Sequence, residues 1–223
     1  MSGRSSIFDL IGPVMVGPSS SHTAGVVRLA RVVRALLGTP PRQAIITFYN
    51  SFAKTYRGHG SDKAAIGGLL GYAPDDKRIK DAFDYAKKQN LCYTFATKQN
   101  VLTCHPNTMH LDVSSQSQKA SLRGKSIGGG RIEIEEVNGF ETAFTSDNYT
   151  LLAQAKDQHG TIAHIASVLA HAKCNIATMS VARTGKKGSA FMSIEIDGRP
   201  PLSSIAYLKG LKWLTKLVLL EPL

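Results

Sequence analysis

A chain of 223 residues with 43% hydrophobic and 19% charged side chains has enough apolar material for one large domain or two small ones, which excludes a disordered or collagen-like polypeptide. No apolar run reaches the roughly 18 residues of a membrane span, and the N-terminal stretch has one Arg and a broken apolar segment, so no membrane contact and a cytoplasmic location are expected. The net charge of +11 raises nucleic-acid binding, but the excess is spread, with 18 basic and 11 acidic residues in 1–146 and 9 and 5 in 147–223. No dense Arg/Lys tract, aromatic RNA-binding strand or zinc-finger spacing accompanies it, so no nucleic-acid partner is expected. Three cysteines, Cys92, Cys104 and Cys174, lack a CxxC spacing and cannot alone give four thiolates to zinc or an iron–sulfur cluster, so no metal ligand is expected in this chain.

The segment SSIFDLIGPVMVGPSSSHTAG is broken into short loops by Gly12-Pro13 and Gly17-Pro18. From Thr23 to about Leu37 the spacing predicts an amphipathic helix, with Arg28, Arg31 and Arg34 on one face and Val26, Leu29, Val33 and Leu36 or Leu37 on another, stopped by Pro40-Pro41. Residues 44–52 predict a strand, 62–71 a short helix with close-packed glycines, and 75–90 a more charged helix. Strands are expected at 91–97, 108–113, near 120–123 and at 131–137, with the turn-prone Gly128-Gly129-Gly130 between the last two. Residues 1–145 therefore predict a mixed α/β domain. After a polar linker near 144–148, residues 149–223 predict the order β-α-β-β-α-β, a ferredoxin-like split fold, making the whole chain α+β.

Chemistry-bearing residues cluster in loops. GPSSSHT, with Ser19, Ser20, Ser21, His22 and Thr23, feeds a helix N-terminus, where unpaired N–H groups, hydroxyls and an imidazole can grip a carboxylate or phosphate. Simple capping by one serine explains the same pattern. Gly58-His59-Gly60-Ser61-Asp62 sets a second imidazole between strand and helix, suited to proton transfer or equally to a glycine turn in which His59 only packs. His105-Pro106-Asn107-Thr108 adds an imidazole and an amide, or is an ordinary turn. Ser126-Ile127-Gly128-Gly129-Gly130 is short of any dinucleotide or P-loop pattern, although glycine N–H groups can nest an anion.

In the C-terminal region Asp157, Gly160 and Asn175 are expected at one end of the sheet, where they would hold a small amino acid, against capping by Asp157 and a turn at Asn175. His164 and His171 fall seven apart on one helix face, a spacing that does not suit a metal.

Taken together, GPSSSHT at 17–23, GHGSD at 58–62, HPNTM at 105–109 and SIGGG at 126–130 closely resemble the β chains of bacterial iron–sulfur-dependent L-serine dehydratase. Residues 149–220 resemble an ACT domain, a regulatory module that commonly binds amino acids. The resemblance implies a lyase that converts L-serine to pyruvate and ammonia. It also implies a 4Fe-4S cluster, held by a separate α chain, that acts as a Lewis acid on the serine hydroxyl. His22, Ser20, Ser21, Thr23 and His59 are then expected in catalysis, Ser19, Asp62 and Asn107 in substrate binding, and Asp157, Gly160 and Asn175 at an effector site. Homo-association through the ACT domain is expected. The first domain also resembles the allosteric substrate-binding domain of some phosphoglycerate dehydrogenases, which implies the alternative of an amino-acid-sensing protein without catalysis. In the ACT region Asn175 matches one asparagine of serine-binding sites, whereas Asp157 and Ala155 depart from the pattern.

Overall fold

A computed structural model of the chain describes residues 13–186 and 188–223; the predicted opening segment through Gly12 lies outside them. The chain divides by internal contacts into two units, Met1–Gly139 and Phe140–Leu223, each built around its own sheet.

In the first unit β1 (Gln43–Tyr49) runs parallel to β2 (Cys92–Lys98) on one side and antiparallel to β3 (Thr108–Ser114) on the other. The antiparallel β4 (Lys119–Gly128) and β5 (Arg131–Val137) follow, giving the order β2-β1-β3-β4-β5. The alternation of β4, with Ala120, Leu122 and Ser126 buried and Lys119, Ser121 and Arg123 more open, turns its apolar face to the helices. The other face carries the ion pairs of Arg123 with Glu135 and Glu136 and of Lys125 with Glu133 and Glu135.

Helix α1 (Gly25–Leu37) is buried along most of its surface, because it packs on the sheet and against α3 (Ser61–Leu69). At Gly68 an added Cβ would meet Val27 O at 2.5 Å, so glycine sets how closely α1 and α3 approach. The predicted arginine face of α1 acts as a set of clamps: Arg28 Nη1 donates to Gly130 O at 2.7 Å and Arg34 Nη1 to Leu69 O at 2.9 Å, the latter covering the C-terminal carbonyls of α3.

Three local expectations are corrected. The strand of 44–52 ends at Tyr49: Asn50 takes a left-handed backbone, φ 47°, and opens α2 (Asn50–Thr55). Its amide then pins the loop before β3, donating to Val101 O and Cys104 O and accepting from Val101 N. The helix of 75–90 is a 3-10 turn, Lys77–Asp81, followed by α4 (Ala82–Lys88). The strand near 120–123 is ten residues long and absorbs Ser126–Gly128, leaving Gly129-Gly130 as a tight turn with positive φ.

The second unit has β6 (Phe140–Phe144), β7 (Tyr149–Lys156), α5 (Thr161–His171), β8 (Ile176–Arg183), β9 (Ser189–Ile196), α6 (Leu202–Lys209) and β10 (Leu214–Leu220). The sheet order β10-β7-β9-β8 is that of the expected βαββαβ fold, with α5 and α6 closing an apolar core of Leu151, Ala153, Ile165, Leu169, Ile194 and Leu208. Strand β6 was not read from the sequence. Glu195 on β9 is only 5% exposed and ties the segment after β6 to the sheet, accepting from Thr145 N, Thr145 Oγ1 and Thr178 Oγ1 at 3.0, 2.8 and 2.6 Å. Burial works to raise its carboxyl pKa, but these bonds and one from the Ser146 amide outweigh burial and hold it below the ordinary value.

Candidate functional site

The site begins where the Gly17–Ser21 loop folds back over the start of α1. A Cβ at Gly17 would lie 2.2 Å from Thr23 Oγ1, so this close approach requires glycine. Ser19 is the cap: its Oγ accepts from His22 N at 3.2 Å and lies 3.3 Å from His22 Nδ1. Instead of continuing as a regular helix, Ser20–Ala24 form one π-helical turn that runs into α1. Such turns are rare and concentrate at functional sites. The helix predicted from Thr23 therefore has a widened first turn, and it carries His22 and Thr23.

The second motif meets the first. Tyr56 O accepts from Ser61 N at 2.7 Å and Asp62 N at 3.4 Å, while Gly60, at φ 69°, turns the chain into α3. This brings the His59 ring to 4.7 Å from the His22 ring, centroid to centroid, with the Phe52 ring in a T-shaped contact with His22 at a centroid distance of 4.9 Å. Ser61, fully buried, donates its hydroxyl to His22 O at 2.8 Å. Burial first, and the neighbouring His59 second, push the His22 pKa below its ordinary value, so its imidazole stays neutral at neutral pH. Burial raises the Asp62 carboxyl, and the bond from Lys63 N with the charges of Lys63 and Arg57 offset part of that rise.

Between the motifs lies a cavity of about 330 Å³ whose wall includes Thr23, His59 and Asp62 together with Arg57, Lys63 and Lys80. Three cations against one carboxylate favour an anionic ligand. His22 sits one layer behind, against His59. Three polar atoms near the start of α1, His22 Nε2, Thr23 Oγ1 and Ser126 Oγ, are buried without a hydrogen-bond partner among the described residues. Ser126 is reached through Gly25, where a Cβ would lie 2.2 Å from its Oγ. Buried polar atoms are rarely left this way, and a ligand is one standard explanation.

The structure thus brings Ser19, His22, Thr23, His59 and Asp62 together. Ser20 and Ser21 contribute the backbone of the π-turn and are not part of the cavity wall. Asn107 is also off that wall: its carbonyl accepts from Ser126 N, and its own amide donates to His105 Nδ1, making it a link between β3 and β4. Sequence reading missed Arg57, Lys63, Lys80 and the role of Ser61. Ser61 stood inside a quoted motif, but its partner is 39 residues away.

The expected grouping of Asp157, Gly160 and Asn175 at one end of the sheet is corrected. Strands β7 and β8 both run antiparallel to β9 and so parallel to each other, with Lys156 opposite Ser189 and Ile176 opposite Ile196. The end of β7 and the start of β8 therefore lie at opposite ends of the sheet. Asp157 pairs with Arg183 at 3.5 Å and Gly160 caps α5, whereas Asn175 Nδ2 donates to Asp197 at 2.7 Å.

Comparison with known proteins agrees with this architecture. Residues 6–91 match the Serine dehydratase beta chain family and residues 149–206 the ACT domain family. The chain is 46% identical over 192 residues to the probable L-serine dehydratase beta chain of Bacillus subtilis, covering 86% of this chain and 87% of that one. It is 36% identical over 193 residues to the L-serine dehydratase beta chain of Peptoniphilus asaccharolyticus, with the same coverage. A D-3-phosphoglycerate dehydrogenase of Synechocystis is 29% identical over 153 residues, 67% of this chain and 27% of that protein. No helix among the described residues is long and apolar enough to cross a membrane. With two beta chains matched along most of their length and a family model matching part of each unit, the chain belongs to the L-serine dehydratase beta-chain family.

Proposed function

We propose that this chain is the β subunit of an L-serine ammonia-lyase that deaminates L-serine to pyruvate and ammonia in the cytoplasm, and that it works only with an α chain. The observation that carries the reading is the buried, unpartnered pair His22 Nε2 and Thr23 Oγ1 beside a cation-lined cavity, in a chain related to beta chains over most of its length.

Among the described residues the free cysteines lie in three separate places, β2, the loop before β3 and the second unit, and no group of three or more His, Cys, Asp or Glu side chains is arranged to hold a metal. These residues do not fit an iron–sulfur cluster. The proposal therefore assigns the 4Fe-4S cluster to the α chain. This chain's residues bind and orient the substrate and handle a proton. Arg57, Lys63 and Lys80 attract the substrate carboxylate to the cavity, and the Thr23 hydroxyl offers it a hydrogen bond. With Nδ1 protonated and donating to Ser19 Oγ, His22 Nε2 presents a lone pair, and the neutral ring beside His59 is in the state that accepts a proton.

For the second unit we propose association with a second copy through β8, which stands at the sheet edge with Val181 exposed. Asp157 and Gly160 at one end and Asn175 at the other cannot form one effector site within a single chain.

The test is anaerobic pyruvate formation from L-serine by this chain alone and with its α partner after iron–sulfur reconstitution. Activity is expected only in the mixture, and His22→Asn is expected to abolish it while the chain still folds. Calorimetric amino-acid binding with no turnover in any reconstitution would replace this reading with the amino-acid-sensing one.

A further inference from the structure

We propose that Ser61 is a positioning residue of this site, its hydroxyl holding the His22 carbonyl and thereby fixing the His22–His59 imidazole pair. The inference rests on the reading of that pair given above.

A serine in the first turn of a helix ordinarily turns its hydroxyl to its own helix's free amides. Ser61 does not: the cap of α3 is Gly60, with no side-chain capping bond, and Ser61 Oγ instead crosses to His22 O at 2.8 Å. The acceptor explains why. Gly25 N bonds Ser20 O, a five-residue step, and α1 then continues with four-residue steps. Where the step shortens, one carbonyl is skipped by the helix's own donors, and a buried carbonyl needs a partner. His22 O lies within that junction, and Ser61 Oγ is a donor that reaches it from another helix. Ser61 is 0% exposed, so the bond is shielded from bulk water. Its own backbone is fixed as well, by the bond of Ser61 N to Tyr56 O at 2.7 Å, in the turn that carries His59. One hydroxyl thus joins the two loops whose rings meet at 4.7 Å.

The contact has a readout that a purely structural role would not move. Of the side chains in contact with His22, His59 is the one whose charge lowers the His22 pKa, and Ser19 and Phe52 carry no charge. Burial is the larger cause of the depressed His22 titration. Loosening the π-turn admits solvent to the ring and lets that titration rise toward an ordinary histidine.

The experiment is an NMR titration of the His22 Cε1–H resonance in the full chain, assigned by its loss in His22→Asn, for the natural sequence and for Ser61→Ala. Kinetics of the α-chain-complemented enzyme accompany it. Ser61→Ala is expected to raise the His22 midpoint and lower kcat about tenfold with little change in KM. An unchanged His22 midpoint, with or without a lower unfolding temperature, overturns the proposal. If Ser61→Ala does not fold, Ser61→Cys, which keeps the volume with a weaker donor, decides by the same midpoint. Because the titration needs no turnover, an inactive natural mixture sinks the lyase reading and is distinguishable from a failure of the Ser61 contact.

Discussion

Gly68→Ala tests whether the packing of α1 on α3 sets the site. An added Cβ would fall 2.5 Å from Val27 O, 2.6 Å from Ala30 Cβ and 3.2 Å from Val27 C. Two of these atoms are backbone and the third is a methyl on a buried helix, so no rotamer change relieves the contact and the helices must separate. Overpacking of this kind costs about 1–3 kcal/mol, and the better helix propensity of alanine returns up to about 1 kcal/mol. With a backbone oxygen at 2.5 Å the cost lies in the upper part of that range, so the expected net loss is about 1–2 kcal/mol, a fall in unfolding temperature of about 3–8 °C for a unit of this size. The N-terminal end of α3 carries Ser61 and Asp62, so the same movement should lower turnover in the α-complemented enzyme. Thermal unfolding followed by far-UV circular dichroism gives the first quantity and pyruvate release the second. An unchanged or higher unfolding temperature would refute the packing argument.

Gly17→Ala drives a methyl into Thr23 Oγ1 and should reduce kcat/KM by about 100-fold, the scale of a misplacement near 1 Å, with a native circular-dichroism spectrum. Kinetics indistinguishable from the natural chain would remove Thr23 from the site. His59→Gln takes away a repulsion that lowers the His22 pKa, so the acid limb of kcat/KM should move to higher pH; burial remains, and the limb should stay below that of an ordinary histidine. A limb that stays put or moves down would contradict the pairing. Glu195→Gln should destabilise the second unit by about 1–3 kcal/mol at neutral pH, read from the fluorescence of Trp213, the single tryptophan. The folded Glu195 carboxyl titrates below its ordinary 4.5, so its stabilisation is present above that value and lost as the pH falls through the folded pKa. The Gln variant should lack that acid-dependent loss, and an identical acid profile would count against the clamp.

The sequence exposed what is local. The βαββαβ unit was legible because short strand and helix segments follow one another in that order with brief turns between them. GPSSSHT and GHGSD were joined only by the family resemblance, and the geometry of their meeting depends on Gly68 and Gly17, whose role is to allow contact with residues far away or folded back. The π-turn was invisible, since Ser-Ser-His-Thr-Ala has no periodicity that separates it from a capped α-helix. Strand 44–52 was overrun because apolar Phe52 continues the pattern, while the reversal at Asn50 is fixed by bonds to Val101 and Cys104. Asn175 was misplaced by treating the two loops flanking α5 as neighbours, when a helix that crosses between parallel strands separates them by the length of the sheet.

The distribution of unmet bonding explains why a partner is needed in the proposed mechanism. A buried polar atom left unpaired costs about 1–3 kcal/mol, so three of them near the start of α1 are a standing cost to the fold. The surrounding structure does nothing to remove it: Gly17 and Gly25 bring backbone against Thr23 and Ser126, and Ser19 and Ser61 bond other atoms of His22 while leaving Nε2 alone. Apolar side chains at Thr23 or Ser126 would relieve the cost, so hydroxyls at both positions fit atoms that serve a ligand. The cavity wall adds cations that suit a carboxylate and an imidazole pair that suits a proton, while the cysteines stand apart from the site. Those groups can hold an amino acid and manage its proton, but none of them is a Lewis acid for the leaving hydroxyl. That missing function is what the proposed α chain has to bring, and it is why turnover by this chain alone would be the result most damaging to the proposal.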